Sequence, residues 1–167
     1  NPAKIIDEFL LYFKIDSSIQ GAAFTKDIFS KKLINIGVLV LENETKTITY
    51  AGLNNTAVHL IRDDKNPDKN QFYEFIGDDE DSMLDKTSLF NLQFVPDSMI
   101  YLSTNGFEKQ LDAKGIRTFK HKKFCDLLTR IAPLDFPLQE KSLEDRLQEW
   151  RKDQPLTEDV LVLGVRI

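Results

Sequence analysis

The order in which two periodicities occur constrains this chain most. From residue 33 to residue 104, short apolar runs alternate with polar turns. "LINIGVLVLE" (33–42) reads as a strand, "NETK" as a turn, and "TITYAG" (47–52) as a returning strand with period-two alternation. "AVHLIRD" (57–63), "QFYEFI" (71–76), "LFNLQFVP" and "DSMIYLST" continue the series, the last two around a tight turn at Pro96-Asp97. After Gly106 the period lengthens. "FKHKKFCDLLTRIA" (119–132) reads as a helix ended by Pro133. "LQEKSLEDRLQEWRK" (138–152) reads as a second, with Leu143, Leu147 and Trp150 on one face. "EDVLVLGVRI" closes the chain as an apolar run expected to be a strand buried on both faces. Strands, then helices, then a closing strand predict an α+β layered domain.

The opening "NPAKIIDEFLLYF" predicts an amphipathic helix over 2–14, with Asn1 as N-cap and Pro2 in the first turn. A start at the edge of a helix implies a preceding segment. Residues 15–32 read as irregular, and 64–70 as a polar loop. With 167 residues the chain is expected to form one domain over 1–167.

Charge and cysteine usage exclude several classes. A net charge of -5 with no basic stripe argues against nucleic acid as a partner. No apolar run reaches the length of a membrane span. One cysteine, Cys125, rules out an internal disulfide and reads as a small core residue on a buried helix face. The histidines, His59 and His121, are far apart in sequence, which argues against zinc. Asp78, Asp79, Glu80 and Asp81 lack the alternating spacing of a calcium loop and read as a solvated loop. These features fit a cytoplasmic domain.

Asn105-Gly106, in "YLSTNGFEKQ", follows a strand and precedes a charged segment that does not look like a returning strand. Glu158 and Asp159 open the final apolar run. If the two strands are neighbours, their ends converge and oxygen ligands there could share a divalent metal. The alternative reading is local: Asn105 as a turn residue, and Glu158 and Asp159 as ordinary polar residues before a strand.

Three segments, in order, resemble the C-terminal half of the SpoIIE-like branch of the metal-dependent protein phosphatase (PPM) family. "ITYAGLNNTAVHL" is similar to the family's strand pair ending in "AGHNP", with Leu53 for the His and Asn55 for the Pro. "PDSMIYLSTNGFEKQLDAKG" is similar to its "YTDG" segment, with Asn105 where the Asp stands. "TEDVLVLGVRI" is similar to its closing Asp-Asp strand, with Glu158 at the first Asp and Asp159 at the second. The opening helix is also similar, so the resemblance runs over nearly the whole chain.

The resemblance implies an antiparallel β-sandwich flanked by helices (α-β-β-α), lacking its N-terminal strands. It implies a protein serine/threonine phosphatase in which two Mn²⁺ or Mg²⁺ ions activate a water for attack on phosphorus. It further implies a phosphorylated STAS-type anti-sigma-factor antagonist as substrate, and a setting as the cytosolic C-terminal domain of a larger sensor. Asn105 and Glu158 take the metal-facing positions and Asp159 supports them. Gly106 allows close backbone approach, and Gly52 shapes a neighbouring loop.

The departures from the family pattern bear on activity. The family's metal-bridging Asp and its Gly-His-Gly-like segment precede the helix that opens this chain. Asn105 supplies an amide in place of a carboxylate, and Glu158 is one methylene longer than Asp. Loss of a carboxylate weakens the attraction for a metal pair, so impaired catalysis is expected. A fragment of a phosphatase, a natural pseudophosphatase serving as a regulatory, binding or dimerisation module, and an introduced inactivating substitution remain alternatives. Unpaired sheet edges would favour a homodimer.

Overall fold

The structure is a computed structural model that describes residues 1–6, 8, 36–53, 57–61, 72–76 and 89–167. Its strands, in chain order, are β1 (Ile36–Glu42), β2 (Thr47–Leu53), β3 (Ala57–Ile61), β4 (Phe72–Ile76), β5 (Leu89–Gln93), β6 (Met99–Ser103) and β7 (Val162–Arg166). They form a three-stranded sheet of order β1-β2-β5 and a four-stranded sheet of order β4-β3-β6-β7. β1 pairs with β2, β2 with β5 and β6 with β7, all antiparallel. Although β5 and β6 are separated only by the turn at Pro96-Asp97, they lie in different sheets. Asp97 has φ 68, a left-handed conformation that Asp adopts more readily than most residues.

The chain divides into two compact units, Asn1–Val58 with Phe75–Phe94, and His59–Glu74 with Val95–Ile167. In the first unit, β1 and β2 are joined by the turn 43–46. Their register runs from Ile36 opposite Leu53 to Glu42 opposite Thr47. Ile48 and Tyr50 alternate with Thr49 along β2 and are buried. Residues 2–6 are helical, and the Asn1 side-chain oxygen accepts the Ala3 amide at 3.0 Å as an N-cap. Ala3 and Ile6 pack on Ala51, with Ile36 and Val38 beside them. The rest of the helix expected over 2–14 lies outside the described residues, apart from residue 8, and so do residues 15–32 and 64–70.

In the second unit, helices α1 (Gly106–Lys109), α2 (His121–Ile131) and α3 (Phe136–Arg151) follow β6. Phe124, Leu127, Leu128 and Ile131 form the buried stripe of α2, at the spacing a one-faced helix requires. They share a core with Met99, Tyr101, Phe107 and Phe119, against which Leu143, Leu147 and Trp150 of α3 pack. α2 starts two residues later than its sequence period predicts. Phe119 donates its amide to the Gln110 carbonyl at 3.0 Å, and Lys120 has φ 73, so neither residue is helical. α3 starts two residues earlier than expected because Pro137 is tolerated in a first helical turn.

A buried polar chain ties α3 to the sheet. The Tyr101 hydroxyl donates to Gln139 Oε1 at 2.8 Å, and Gln139 Nε2 donates to the Leu134 carbonyl at 2.7 Å. Arg166 donates to the Ala132 and Leu134 carbonyls at 2.9 and 2.8 Å. Burial pushes the Tyr101 hydroxyl well above its ordinary pKa, with nearby Arg166 opposing the shift.

The closing strand corrects an expectation. β7 is an edge strand of five residues, with Leu163 52% exposed and Leu161, just before it, 61% exposed, and is not buried on both faces. Its run of apolar residues imitates the composition of a central strand, but the order of the sheet leaves one side of it open among the described residues. The ladder also starts late. Glu158 and Asp159 lie in the approach to β7 and do not open the strand.

Candidate functional site

The ends of β6 and β7 are joined by one side chain. Thr104 donates its amide to the Leu161 carbonyl at 3.1 Å. Its hydroxyl donates to the Asp159 carbonyl at 2.9 Å and accepts the Leu161 amide at 3.1 Å. The threonine thereby continues the antiparallel register one step past Ser103 opposite Val162 and bends the incoming chain toward α1.

Asn105 and Gly106 convert a strand into a helix. Asn105 is right-handed helical (φ -78, ψ -1) and its carbonyl accepts the Lys109 amide at 3.0 Å. Its side chain makes no capping hydrogen bond. Gly106 is buried against the Asp159 backbone. A Cβ there would overlap the Asp159 carbonyl oxygen and stand 2.8 Å from its carbon and 3.2 Å from Val160 Cγ2. The Asn-Gly pair is a helix entry, with glycine required by close packing.

Gln110 holds the other side of the site. Fully buried, it donates to the Pro155 carbonyl at 3.0 Å and accepts the Thr157 amide at 3.2 Å. Its own carbonyl accepts the Trp150 indole N–H at 2.9 Å. Lys109 Nζ lies 3.0 Å from Glu158 Oε1, a pair whose side chains are 48% and 41% exposed. The second unit therefore brings Asn105, Gly106, Glu158 and Asp159 to one strand end. Gly52 belongs to the first unit, where it is buried on β2 opposite Gly37. Thr104, Lys109 and Gln110 were not singled out by sequence reasoning. The signal for them is weak: three polar residues flanking an Asn-Gly pair.

No protein-family model matches the sequence, and neither does a curated protein. Solved structures do match. The SiaA-PP2C domain of Pseudomonas aeruginosa aligns with a TM-score of 0.65 at 21% identity, over 78% of this chain and 50% of that one. The phosphatase domain of the cell fate determinant SpoIIE from Bacillus subtilis aligns with a TM-score of 0.56 at 15% identity, over 100% of this chain and 74% of that one. Its manganese-presoaked form aligns with a TM-score of 0.57 at 17% identity, over the same shares. The chain has the SpoIIE-like PPM phosphatase fold. It is α+β, with antiparallel strands in two sheets and accompanying helices, and spans half the length of the SiaA-PP2C domain.

Within this SpoIIE-like fold, the donor set can be tested for a metal pair. Asn105 offers an amide oxygen. The Glu158 carboxylate is already paired with Lys109, and the Asp159 carbonyl faces Thr104 and Gly106. Among the described residues, no group of three or more His, Cys, Asp and Glu is arranged to hold a metal ion. A dinuclear centre needs several carboxylates to offset its charge, and these residues do not fit one. The acidic run Asp78–Asp81 lies outside the described residues, and His59 is placed on β3.

Two further features lie in the second unit. Asp112 Oδ1 accepts the amides of Ile116, Arg117 and Lys114 at 3.0, 3.3 and 3.2 Å, closing the loop after Gln110. Those backbone donations, Ile116 first, hold the Asp112 carboxyl below its ordinary pKa. A cleft of about 540 Å³ lies between α3 and β7, lined by Tyr101, Phe136, Leu143, Leu147 and Val162, with Glu140 and Glu144 alongside. Neither Asn105 nor Glu158 lines it. No helix among the described residues is long and apolar enough to cross a membrane.

Proposed function

We propose that this chain is a SpoIIE-like protein serine/threonine phosphatase domain of bacterial signalling, impaired at its metal site, with a phosphorylated STAS-type anti-sigma-factor antagonist as substrate. The observation that supports it is the meeting of strand ends on this fold: Thr104 bonded to Asp159, and Gly106 packed on the same carbonyl. On this reading, Asn105 and Glu158, beside that contact in sequence, stand for the family's carboxylates. Mn²⁺ or Mg²⁺ is the cofactor this reading calls for, and the manganese-presoaked SpoIIE neighbour makes Mn²⁺ the ion to assay. The domain acts in the cytoplasm, as the C-terminal part of a larger sensor. The test is phosphate release from a phosphoserine STAS protein by the full-length protein with Mn²⁺. Weak release that rises about tenfold or more in Asn105→Asp supports the proposal, a barrier lowered by ~1.4 kcal/mol. No release above a metal-free control in either form overturns it.

A second reading is a catalytically inactive binding or dimerisation module, favoured by the edge of β7. Ladder bonds at Leu161 and Ile167 fix the phase of the strand. The backbone groups of Val162, Gly164 and Arg166 therefore point away from β6, beside exposed Leu161 and Leu163. This reading expects a homodimer by sedimentation that Leu163→Lys weakens. A monomer at every concentration contradicts it.

A further inference from the structure

The strand-end site carries a cation of its own. Lys109 Nζ lies 3.0 Å from Glu158 Oε1, and both side chains are half-exposed. Glu158 is a metal-facing position under the phosphatase reading proposed above, and the inference rests on that reading. A divalent ion coordinated by Glu158 would meet an ammonium group already seated on one carboxylate oxygen. Like charges a few ångströms apart repel, and at that range water and salt weaken the repulsion without removing it.

The backbone keeps Lys109 at this spot. Lys109 ends α1, and its amide donates to the Asn105 carbonyl at 3.0 Å. Its own carbonyl accepts the hydroxyl of Thr157, the residue before Glu158, at 3.4 Å. Next in sequence, Gln110 donates to the Pro155 carbonyl and accepts the Thr157 amide. At the other end of α1, Gly106 packs against the Asp159 carbonyl. The two ends of α1 thus grip the segment 155–159, and the Lys109 and Glu158 side chains start close together whichever ion is nearby. Glu108, the other charged residue of α1, turns to His121 at 3.1 Å.

We infer that Lys109 excludes metal from this site: its ammonium takes the place beside Glu158 that a divalent ion needs. The misfit of the donor set to a metal pair then has two sources. Asn105 withholds a carboxylate, and Lys109 neutralises the one that Glu158 supplies. Both act in the same direction, one through a missing negative charge and the other through an added positive one. An exposed ion pair of this kind opens readily in water. Lys109 therefore lowers the affinity for a metal without barring it.

The test is calorimetric titration of Mn²⁺ alone into the full-length Asn105→Asp protein, with and without a second change at Lys109. Two neutral replacements, Lys109→Met and Lys109→Gln, should each tighten Mn²⁺ binding about fivefold or more, and the gain should shrink as salt is raised. Lys109→Arg keeps the charge and should bind like its Asn105→Asp parent, which a merely structural role for the lysine stem would not require. Unchanged affinity in both neutral variants overturns the inference. If Asn105→Asp still binds Mn²⁺ more tightly than the wild type, the phosphatase reading survives that result. No Mn²⁺ binding by any of these proteins overturns the reading and the inference together.

Discussion

Replacing Gly106 by alanine separates two effects of opposite sign. In an exposed helix, Gly→Ala is expected to stabilise by ~1 kcal/mol. Here the added Cβ would overlap the Asp159 carbonyl oxygen and sit 2.8 Å from its carbon. The obstacle is backbone, so it cannot rotate away, and the Asp159 peptide has to move by roughly an ångström to reach ordinary contact. Overpacking of this kind costs about 1–3 kcal/mol. Moving the peptide also strains the Thr104–Asp159 hydrogen bond, worth ~1 kcal/mol net. Set against the helix gain, the net loss is about 1–3 kcal/mol, or ~6 °C in Tm for a chain of this size. Urea unfolding followed by the fluorescence of Trp150, the sole tryptophan, measures it. An unchanged or raised stability would refute the packing of Gly106 on the approach to β7.

Other outcomes follow from the buried polar groups. Gln110→Ala should cost about 2 kcal/mol in urea unfolding, since it deprives Pro155 and Thr157 of their partner. Tyr101→Phe should cost ~1 kcal/mol at neutral pH by leaving Gln139 Oε1 without its donor. Because the folded-state pKa of Tyr101 is raised, its contribution is intact below about pH 10 and lost as pH rises toward the folded value. Thermal melts should therefore show an alkaline loss that Tyr101→Phe diminishes. Asp112, whose folded-state pKa is lowered, should stabilise its loop above the ordinary carboxylate range and lose that effect as pH falls through the folded value. Protection of the Ile116 and Arg117 amides, taken against the intrinsic exchange rate at each pH, should fall in acid, and Asp112→Ala should abolish that fall.

The sequence showed strands and helices wherever one period dominated. β2 alternates Ile48 and Tyr50 against Thr49, and α3 carries Leu143, Leu147 and Trp150 on one face, so both were legible. The ends of elements were less so, because tertiary bonds set them: Phe119 is held by Gln110 outside α2, and Asp159 by Thr104 outside β7. The burial of β7 was misread because apolar composition does not say whether a strand is central or at an edge. At the candidate site, Asn105 and Glu158 were marked by their strand-end positions and the family resemblance. Lys109, which neutralises Glu158, comes from a part of the chain 49 residues away, a pairing that sequence spacing does not reveal.

Calorimetric titration of Mn²⁺ into the full-length protein and its Asn105→Asp variant tests the central claim most directly. The claim is that this phosphatase-like fold carries a strand-end site short of one carboxylate. The variant is predicted to bind Mn²⁺ about tenfold or more tightly than the wild type, ~1.4 kcal/mol. Equal affinities in the two proteins would contradict it.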